Sequence, residues 1–105
     1  MKEKILHLTL KKKWFDMIRS GEKKEEYREI KAYWSNRFYY FNLRPPYKFT
    51  HIRFKNGYSK NAPEFLIELK KIKIGLPKKK WHEMGHNKSS NKRVFVLILG
   101  EIVIH

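Results

Sequence analysis

The sequence predicts an α+β domain, a small mixed β-barrel of about five strands with one or two flanking helices. Three observations predict it: short segments alternate apolar and polar residues, one segment has helical spacing, and the last segment is a nearly continuous apolar run. Long strands that bulge or bend favour a curled sheet or barrel. The 105 residues suffice for one core, so we expect a single domain over residues 1–105.

The first half of the chain predicts strands and helices in alternation. Residues 6–10 alternate leucine with polar residues and predict a strand, and residues 11–20 place apolar residues at helical spacing. Residues 24–28 are charged and predict an exposed strand or loop. Residues 32–41 are expected to begin as a helix and to end before the prolines that follow. Residues 50–55 alternate again and predict a strand with a basic outer face.

The second half predicts two long strands. Asn56-Gly57 is a turn signal, and the apolar residues of 65–74 change phase near Lys70-Lys71, which predicts a strand with a bulge. Residues 77–93 form a basic, polar segment that predicts a loop. Residues 94–104 are nearly all apolar and predict a central strand buried on both faces.

The charge of the chain predicts a polyanionic partner. Lys and Arg number 25 against 10 Asp and Glu, a formal charge of +15, which favours RNA, DNA or an anionic membrane. Basic residues interleaved with aromatics favour nucleic acid over a membrane surface. The only apolar run near the N-terminus, residues 5–10, is too short for a signal peptide or a membrane span. We therefore expect a cytoplasmic protein without membrane contact, and the absence of cysteine excludes disulfides and thiolate chemistry.

Basic and aromatic residues are concentrated between Ile30 and Pro63. This segment has no acidic residue, seven basic ones and ten of the sixteen aromatics. Bases stack on aromatic rings, at about 1–3 kcal/mol each, while Lys and Arg neutralise phosphates. The alternative is that these aromatics form the core, and we expect about half of those in residues 33–41 to do so.

The lysine-rich segment around Trp81 supports two interpretations. Lys78, Lys79 and Lys80 would clamp a phosphate backbone, or they would form a solvated surface, the more usual role of such a run. The same segment contains HExxH at residues 82–86, which on a helix binds zinc. Gly85 weakens a helix there and no third ligand follows clearly, so the sequence predicts no metal site and no cofactor.

Acidic residues cluster in one short stretch of this basic chain. Glu22, Glu25 and Glu26 lie among lysines between Gly21 and Arg28. On an exposed strand Glu26 and Arg28 would share a face with Lys24, and Lys23 would lie on the other face. A carboxylate beside a cation can read a base edge, orient the cation or act as a general acid or base. A salt-bridged surface element is an equally good interpretation of the pattern itself.

The residues Gly21-x-Lys23-x-x-Glu26-x-Arg28 resemble the GxKxxExR signature of the ASCH domain family, a branch of the PUA-like superfamily. All four positions match. The order of elements also resembles compact ASCH proteins of bacteria and phages, with residues 11–15 before the motif, residues 53–58 after it and a closing apolar strand. The resemblance implies a PUA-like barrel with a cleft, lined by the motif, that takes RNA or a nucleotide.

The resemblance implies Lys23 and Arg28 as phosphate or base contacts and Glu26 as a reader of a base edge or as the residue that positions Lys23. A hydrolase branch of the family uses a lysine, a threonine nucleophile and a more distant glutamate. Lys23 fits that lysine, but Glu26 occupies the position of the threonine. If the chain is an enzyme, the candidates for acid/base and charge-stabilising groups are therefore Lys23, Glu26 and Arg28.

Three functions remain open at this point. The first is an RNA- or nucleotide-binding module, the second a hydrolase acting on RNA or a modified nucleoside, and the third a basic protein-interaction module. We expect a monomer, with no protein partner indicated. The residues expected to contact nucleic acid are Lys11, Lys13, Trp14, Lys23, Glu26, Arg28, Trp34, Arg53, Lys55, Tyr58, Lys78, Lys79 and Lys80.

Overall fold

The computed structural model describes residues 3–41, 44–83 and 92–104. These residues form three helices and seven strands. In chain order they are β1 (Ile5–Thr9), α1 (Lys12–Arg19), β2 (Glu25–Glu29), α2 (Ala32–Phe38), β3 (Tyr39–Phe41), β4 (Arg44–Tyr47), β5 (His51–Lys55), β6 (Glu64–Gly75), α3 (Lys79–Glu83) and β7 (Val94–Val103).

Five strands form one mixed sheet in the order β1-β5-β6-β7-β2, with β1 and β5 parallel and the other neighbours antiparallel. This sheet curls into half of a barrel, and β3 and β4 form a separate antiparallel pair. The predicted α+β class is confirmed, and the predicted barrel is present as this half-barrel. The prediction of one or two helices was too low by one for the described residues, because α3 lies where a loop was expected.

The core joins the sheet to α1. Alternation in β1 and β5 places Leu6 opposite Ile52 and Leu8 opposite Phe54, and all four are buried. In α1 the buried residues are Trp14, Phe15 and Ile18, which lie on one face of the helix. The strands predicted at residues 6–10 and 50–55 and the helix predicted at residues 11–20 are therefore confirmed to within two residues at each end.

The bulge predicted near Lys70-Lys71 is confirmed. The pairing of β6 with β7 changes register between Ile67 and Lys71. Gly100 of β7 lies beside this irregularity, and a Cβ atom there would collide with the side chain of Glu68. The glycine thus leaves room for the side chain of Glu68 on β6. As predicted, β7 is an inner strand of the sheet, and its first four residues are buried.

Two sequence predictions are wrong in ways that matter for function. Residues 24–28 do form a strand, but Glu26 and Tyr27 are buried rather than exposed. Residues 77–93 were predicted to be a loop, but they contain α3, whose Trp81 is buried against Trp14. In both places the local sequence is mostly charged, so it does not show which residues are buried. Their burial depends on contacts with residues distant in the chain.

The HExxH segment lies largely outside the described residues. Its first two residues end α3, and residues 84–86 are not among those described. Within the described ranges no helix is long and apolar enough to cross a membrane.

Tyr39, at the junction of α2 and β3, makes stability dependent on pH. Its ring packs against Tyr47 and Phe95, and burial, with a smaller contribution from Tyr47, raises the pKa of Tyr39 to about 12. The folded state therefore keeps a proton that the unfolded state loses near pH 10, so stability falls as the pH rises from about 10 to 12.

We expect Tyr39→Phe to remove about 2 kcal/mol of this pH-dependent loss at pH 11.5, measured by urea unfolding at pH 8, 10 and 11.5. Tyr58→Phe, at a ring that is 91% exposed, is the control for the loss of one phenol. An identical loss of stability in wild type and Tyr39→Phe would contradict the assignment.

Candidate functional site

A cleft of about 410 Å³ opens between the two outer strands of the sheet. It lies where the end of β1 and the start of α1 approach β2 and α2. Five of the residues predicted to contact nucleic acid line it, together with five others. The predicted ones are Lys11, Trp14, Glu26, Arg28 and Trp34, and the others are Thr9, Leu10, Tyr27, Glu29 and Lys31. The structure therefore gathers residues that are up to 25 positions apart in sequence, from Thr9 to Trp34.

The turn after α1 directs the signature into this region. Gly21 has a φ of +87°, a left-handed conformation that glycine adopts without strain, and its N–H donates to the carbonyl of Ile18. Two residues later the N–H of Lys23 donates to the carbonyl of Met17 at 3.0 Å. The glycine of the signature thus ends the helix and fixes the backbone of Lys23.

Lys23 is completely enclosed, with none of its side chain exposed. Its Nζ donates to the carbonyl of Glu25 and to Oε1 of Glu26, the latter at 3.3 Å. Since β2 begins at Glu25, Lys23 precedes the strand and does not follow its alternation. The prediction that Lys23 and Glu26 lie on opposite faces was therefore wrong, and their charged groups are in contact.

Three aromatic rings surround the Lys23 ammonium group. Its Nζ lies 5.5 Å from the ring centre of Trp14, 4.9 Å from that of Tyr27 and 5.9 Å from that of Trp81. Each distance is within the range of a cation–π interaction, which strengthens when water is excluded. Burial still lowers the pKa of Lys23, and the Glu26 carboxylate opposes that shift. The rings and the carboxylate together hold a cation where water is absent.

Glu26 joins this enclosed lysine to the cleft. Its side chain is 1% exposed, and while Oε1 accepts from Lys23, Oε2 accepts from Nη2 of Arg28 at 2.8 Å. Two cations thus share one carboxylate, so the group of three retains a net positive charge. Because each oxygen is engaged by a cation, Glu26 fixes both of the basic residues of the signature.

Arg28 presents the positive charge of this group to the cleft. Its side chain is 22% exposed, and its guanidinium carbon lies 5.2 Å from the ring centre of Trp34. Nη2 also lies 3.5 Å from the carbonyl oxygen of Thr9, so the arginine spans the gap between β2 and β1. Its Nε is buried and has no hydrogen-bond partner among the described residues. Arg28 therefore combines a fixed position with a guanidinium group that is partly exposed to the cleft.

The cleft wall has more basic than acidic groups. Lys31 at its rim pairs with Glu29 at 3.3 Å, and both side chains are exposed. Lys11, exposed at the N-terminal end of α1, and Arg28 complete the basic lining. A planar, anionic ligand would find a guanidinium group, aromatic rings and a lysine in the same cleft.

Lys13 of α1 and Lys80 of α3 lie over the aromatic pair formed by Trp14 and Trp81. Trp14 and Trp81 meet edge to face with ring centres 6.5 Å apart. The Nζ of Lys13 lies 4.8 Å from the first ring, and that of Lys80 lies 4.6 Å from the second. Lys78 is tied to β2 through its N–H, which donates to the Tyr27 hydroxyl at 3.1 Å. We call Lys13 together with Lys78, Lys79 and Lys80 the lysine surface.

The remaining predicted contacts do not line the cleft. Arg53 and Lys55 lie on β5, where Arg53 pairs with Glu64 at 3.4 Å. Tyr58 follows Gly57, whose φ is +104°, and its ring is 91% exposed. Lys55 is nearest to the β1 side of the cleft, since its carbonyl accepts from the N–H of Leu10 at 2.8 Å.

Sequence reasoning missed the part played by Tyr27 and Trp81. Besides facing Lys23, Tyr27 donates to Oε1 of Glu25 at 2.6 Å and accepts from the backbone of Lys78. Burial and the bond to Glu25 raise the pKa of this phenol, which keeps it a donor. Trp81 could have been singled out because it is an aromatic residue within a run of charged residues. No pattern in the neighbouring sequence, however, predicts its contact with Lys23.

No family model, curated protein or solved structure matches the chain. The ASCH resemblance rests on the four signature positions and the order of elements, and it stays a prediction.

Proposed function

We propose that this chain is an RNA- or nucleotide-binding module of the ASCH type, and that its ligand occupies the cleft between β1 and β2. The observation that carries the proposal is the presentation of Arg28. This guanidinium group is fixed by Glu26, lies over Trp34 and is partly exposed at the wall of a cleft of about 410 Å³. Clefts of this size class commonly hold small ligands.

Charge and ring chemistry support a nucleic-acid ligand. A guanidinium group donates in a planar fork that matches phosphate or the acceptor edge of a base. Trp34 and Trp14 in the same lining offer contact to a base, and the formal charge of +15 favours encounter with a polyanion. The curled five-stranded sheet agrees with the PUA-like barrel that the resemblance implies.

Binding is better supported than hydrolysis. Lys23 would be the acid/base group of a hydrolase, yet its ammonium group is enclosed by three rings and does not line the cleft. A general acid or base must reach the reacting proton directly or through one water molecule. We therefore assign Lys23 a positioning role, in which it holds Glu26, and Glu26 in turn holds Arg28.

The proposal is tested by the anisotropy of a labelled single-stranded RNA of eight nucleotides, titrated with the protein at low salt. We expect saturable binding that is competed by unlabelled RNA and less well by a polyglutamate peptide of equal charge. Absence of binding, or better competition by the peptide, would remove the nucleic-acid assignment and favour a protein-interaction module. Incubated RNA and acylated nucleosides should remain intact, and turnover lost in Lys23→Met would instead establish a hydrolase.

The lysine surface is expected to add sequence-independent affinity. Replacing Lys78, Lys79 and Lys80 with alanine should weaken binding to all RNA sequences alike, and should lower the slope of log K against log salt by about 0.7 for each lost phosphate contact. The matched control replaces three exposed lysines of β6, which are Lys70, Lys71 and Lys73. Equal slopes in both triple variants would show that Lys78, Lys79 and Lys80 are only a solvated surface.

A further inference from the structure

A row of rings and guanidinium groups leads along α2 away from the cleft. It begins with Arg28, which lies 5.2 Å from the ring of Trp34. Trp34 meets Tyr33 with ring centres 4.8 Å apart, and the guanidinium carbon of Arg37 lies 5.6 Å from the ring of Tyr33. Only Arg28 and Trp34 line the cleft, so Tyr33 and Arg37 extend the same chemistry beyond it.

Neither burial in the core nor an ion pair accounts for the positions of Tyr33 and Arg37. The ring of Tyr33 is 60% exposed, whereas Phe38, one turn further along α2, is completely buried in the core. Arg37 is half-buried and forms no ion pair with any described residue, and its buried Nε has no hydrogen-bond partner among them. An exposed ring beside an unpaired guanidinium group is suited to a base and its phosphate.

The angle between the rings indicates the form of nucleic acid that fits. The planes of Tyr33 and Trp34 are 84° apart. The Trp34 ring is stacked on Phe38, with ring centres 5.4 Å apart, and is covered by the Arg28 guanidinium group, so a base in the cleft would stack on Arg28 and not on Trp34 itself. Lying parallel to Trp34, that base would be nearly perpendicular to a base on Tyr33, whereas neighbouring bases in a duplex are parallel and stacked. A single strand can turn its bases apart in this way, because its backbone is not held by pairing.

We infer that the ligand is a single-stranded oligonucleotide of two or more nucleotides, not a mononucleotide. One nucleotide occupies the cleft at Arg28, and its neighbour stacks on Tyr33 with its phosphate at Arg37. This inference rests on the proposed function of the cleft and names the class of ligand. It assigns Tyr33 and Arg37 as a second subsite, which neither the signature nor the cleft itself contains.

The test compares uridine monophosphate, a uridine dinucleotide and a uridine tetranucleotide by calorimetry on the full chain. We expect the affinity to rise about 5- to 150-fold from one to two nucleotides, the gain that one stacked base provides. Tyr33→Ala should abolish most of this gain and leave mononucleotide binding unchanged, and Tyr33→Phe should retain it. Arg37→Gln should reduce the gain, whereas Arg19→Gln, an exposed arginine of α1, should not.

Two results would overturn the second subsite while the proposed cleft function stands. The first is that ligands of one, two and four nucleotides bind with equal affinity per site. The second is that the affinity rises with ligand length in both Tyr33→Ala and Arg37→Gln as it does in wild type. If neither the mononucleotide nor the oligonucleotides bind, the proposed function itself fails, and the inference fails with it.

Discussion

Glu26→Gln is expected to lower the free energy of unfolding by about 3–5 kcal/mol, the usual loss when one member of a buried ion pair is removed. The amide keeps the size of the side chain but removes the charge that faces Lys23. The lysine side chain has no exposed surface, so its ammonium group cannot gain water in compensation. Urea unfolding followed by circular dichroism measures the loss.

The pH dependence of this variant provides a second readout. Burial lowers the pKa of Lys23 and Glu26 opposes the shift, so without the carboxylate the pKa falls further. The folded state then binds fewer protons than the unfolded state between this lower pKa and about 10.4, and stability rises with pH across that window. The rise should be steeper in Glu26→Gln than in wild type below the pH at which tyrosines ionise.

The matched control is Glu29→Gln, three residues along the same strand. Glu29 pairs with Lys31, but both side chains are exposed, so we expect a change within about 1 kcal/mol. If Glu26→Gln does not fold, the double variant Lys23→Met with Glu26→Gln should restore folding, because both charges are then removed. Equal stability of Glu26→Gln and Glu29→Gln would contradict the buried cluster.

Arg28→Ala is expected to weaken binding of single-stranded RNA by about 5- to 150-fold, the value of one good bidentate contact of 1–3 kcal/mol. The loss arises because Arg28 is the cation that Glu26 fixes at the cleft wall. Arg28→Lys should recover only part of the affinity, since an ammonium group keeps the charge but not the planar fork.

Arg19→Ala is the control for the loss of one positive charge. Arg19 is exposed at the end of α1 and does not line the cleft. Its replacement should change the affinity less than twofold at moderate salt, since exposed charges are screened. If the two arginine variants lost affinity equally, the loss would come from the change in net charge, and Arg28 would not be a specific contact to the ligand.

Much of the fold could be predicted because its signals are local. Alternation in β1 and β5, helical spacing in α1 and the phase change in β6 each lie within about ten residues. The β3–β4 pair was missed because Pro45 and Pro46 argue against a strand, although both lie in β4. Edge strands tolerate proline, but a sequence does not show which strands will be edges.

The sequence indicated three residues of the candidate site, but it did not indicate how their side chains are arranged. The signature identified Lys23, Glu26 and Arg28, yet single-residue patterns placed them on an exposed strand. Their burial depends on mutual charge compensation and on Trp14 and Trp81, which come from helices before and after the motif. Such contacts join residues far apart in the chain, so the hydrophobic periodicity of the local sequence does not predict them.

We propose that a single-stranded nucleic acid occupies the cleft at Arg28 and Trp34. An NMR titration of the wild-type protein with a uridine tetranucleotide tests it most directly, read on the tryptophan indole N–H and the arginine Nε–H signals. We predict that the signals of Trp34 and Arg28 shift and saturate with one dissociation constant, with a smaller change at Trp81, which does not line the cleft. If the signals of Trp34 and Arg28 stay in place while that of Trp81, beside Lys80 of the lysine surface, moves, the ligand does not occupy the cleft.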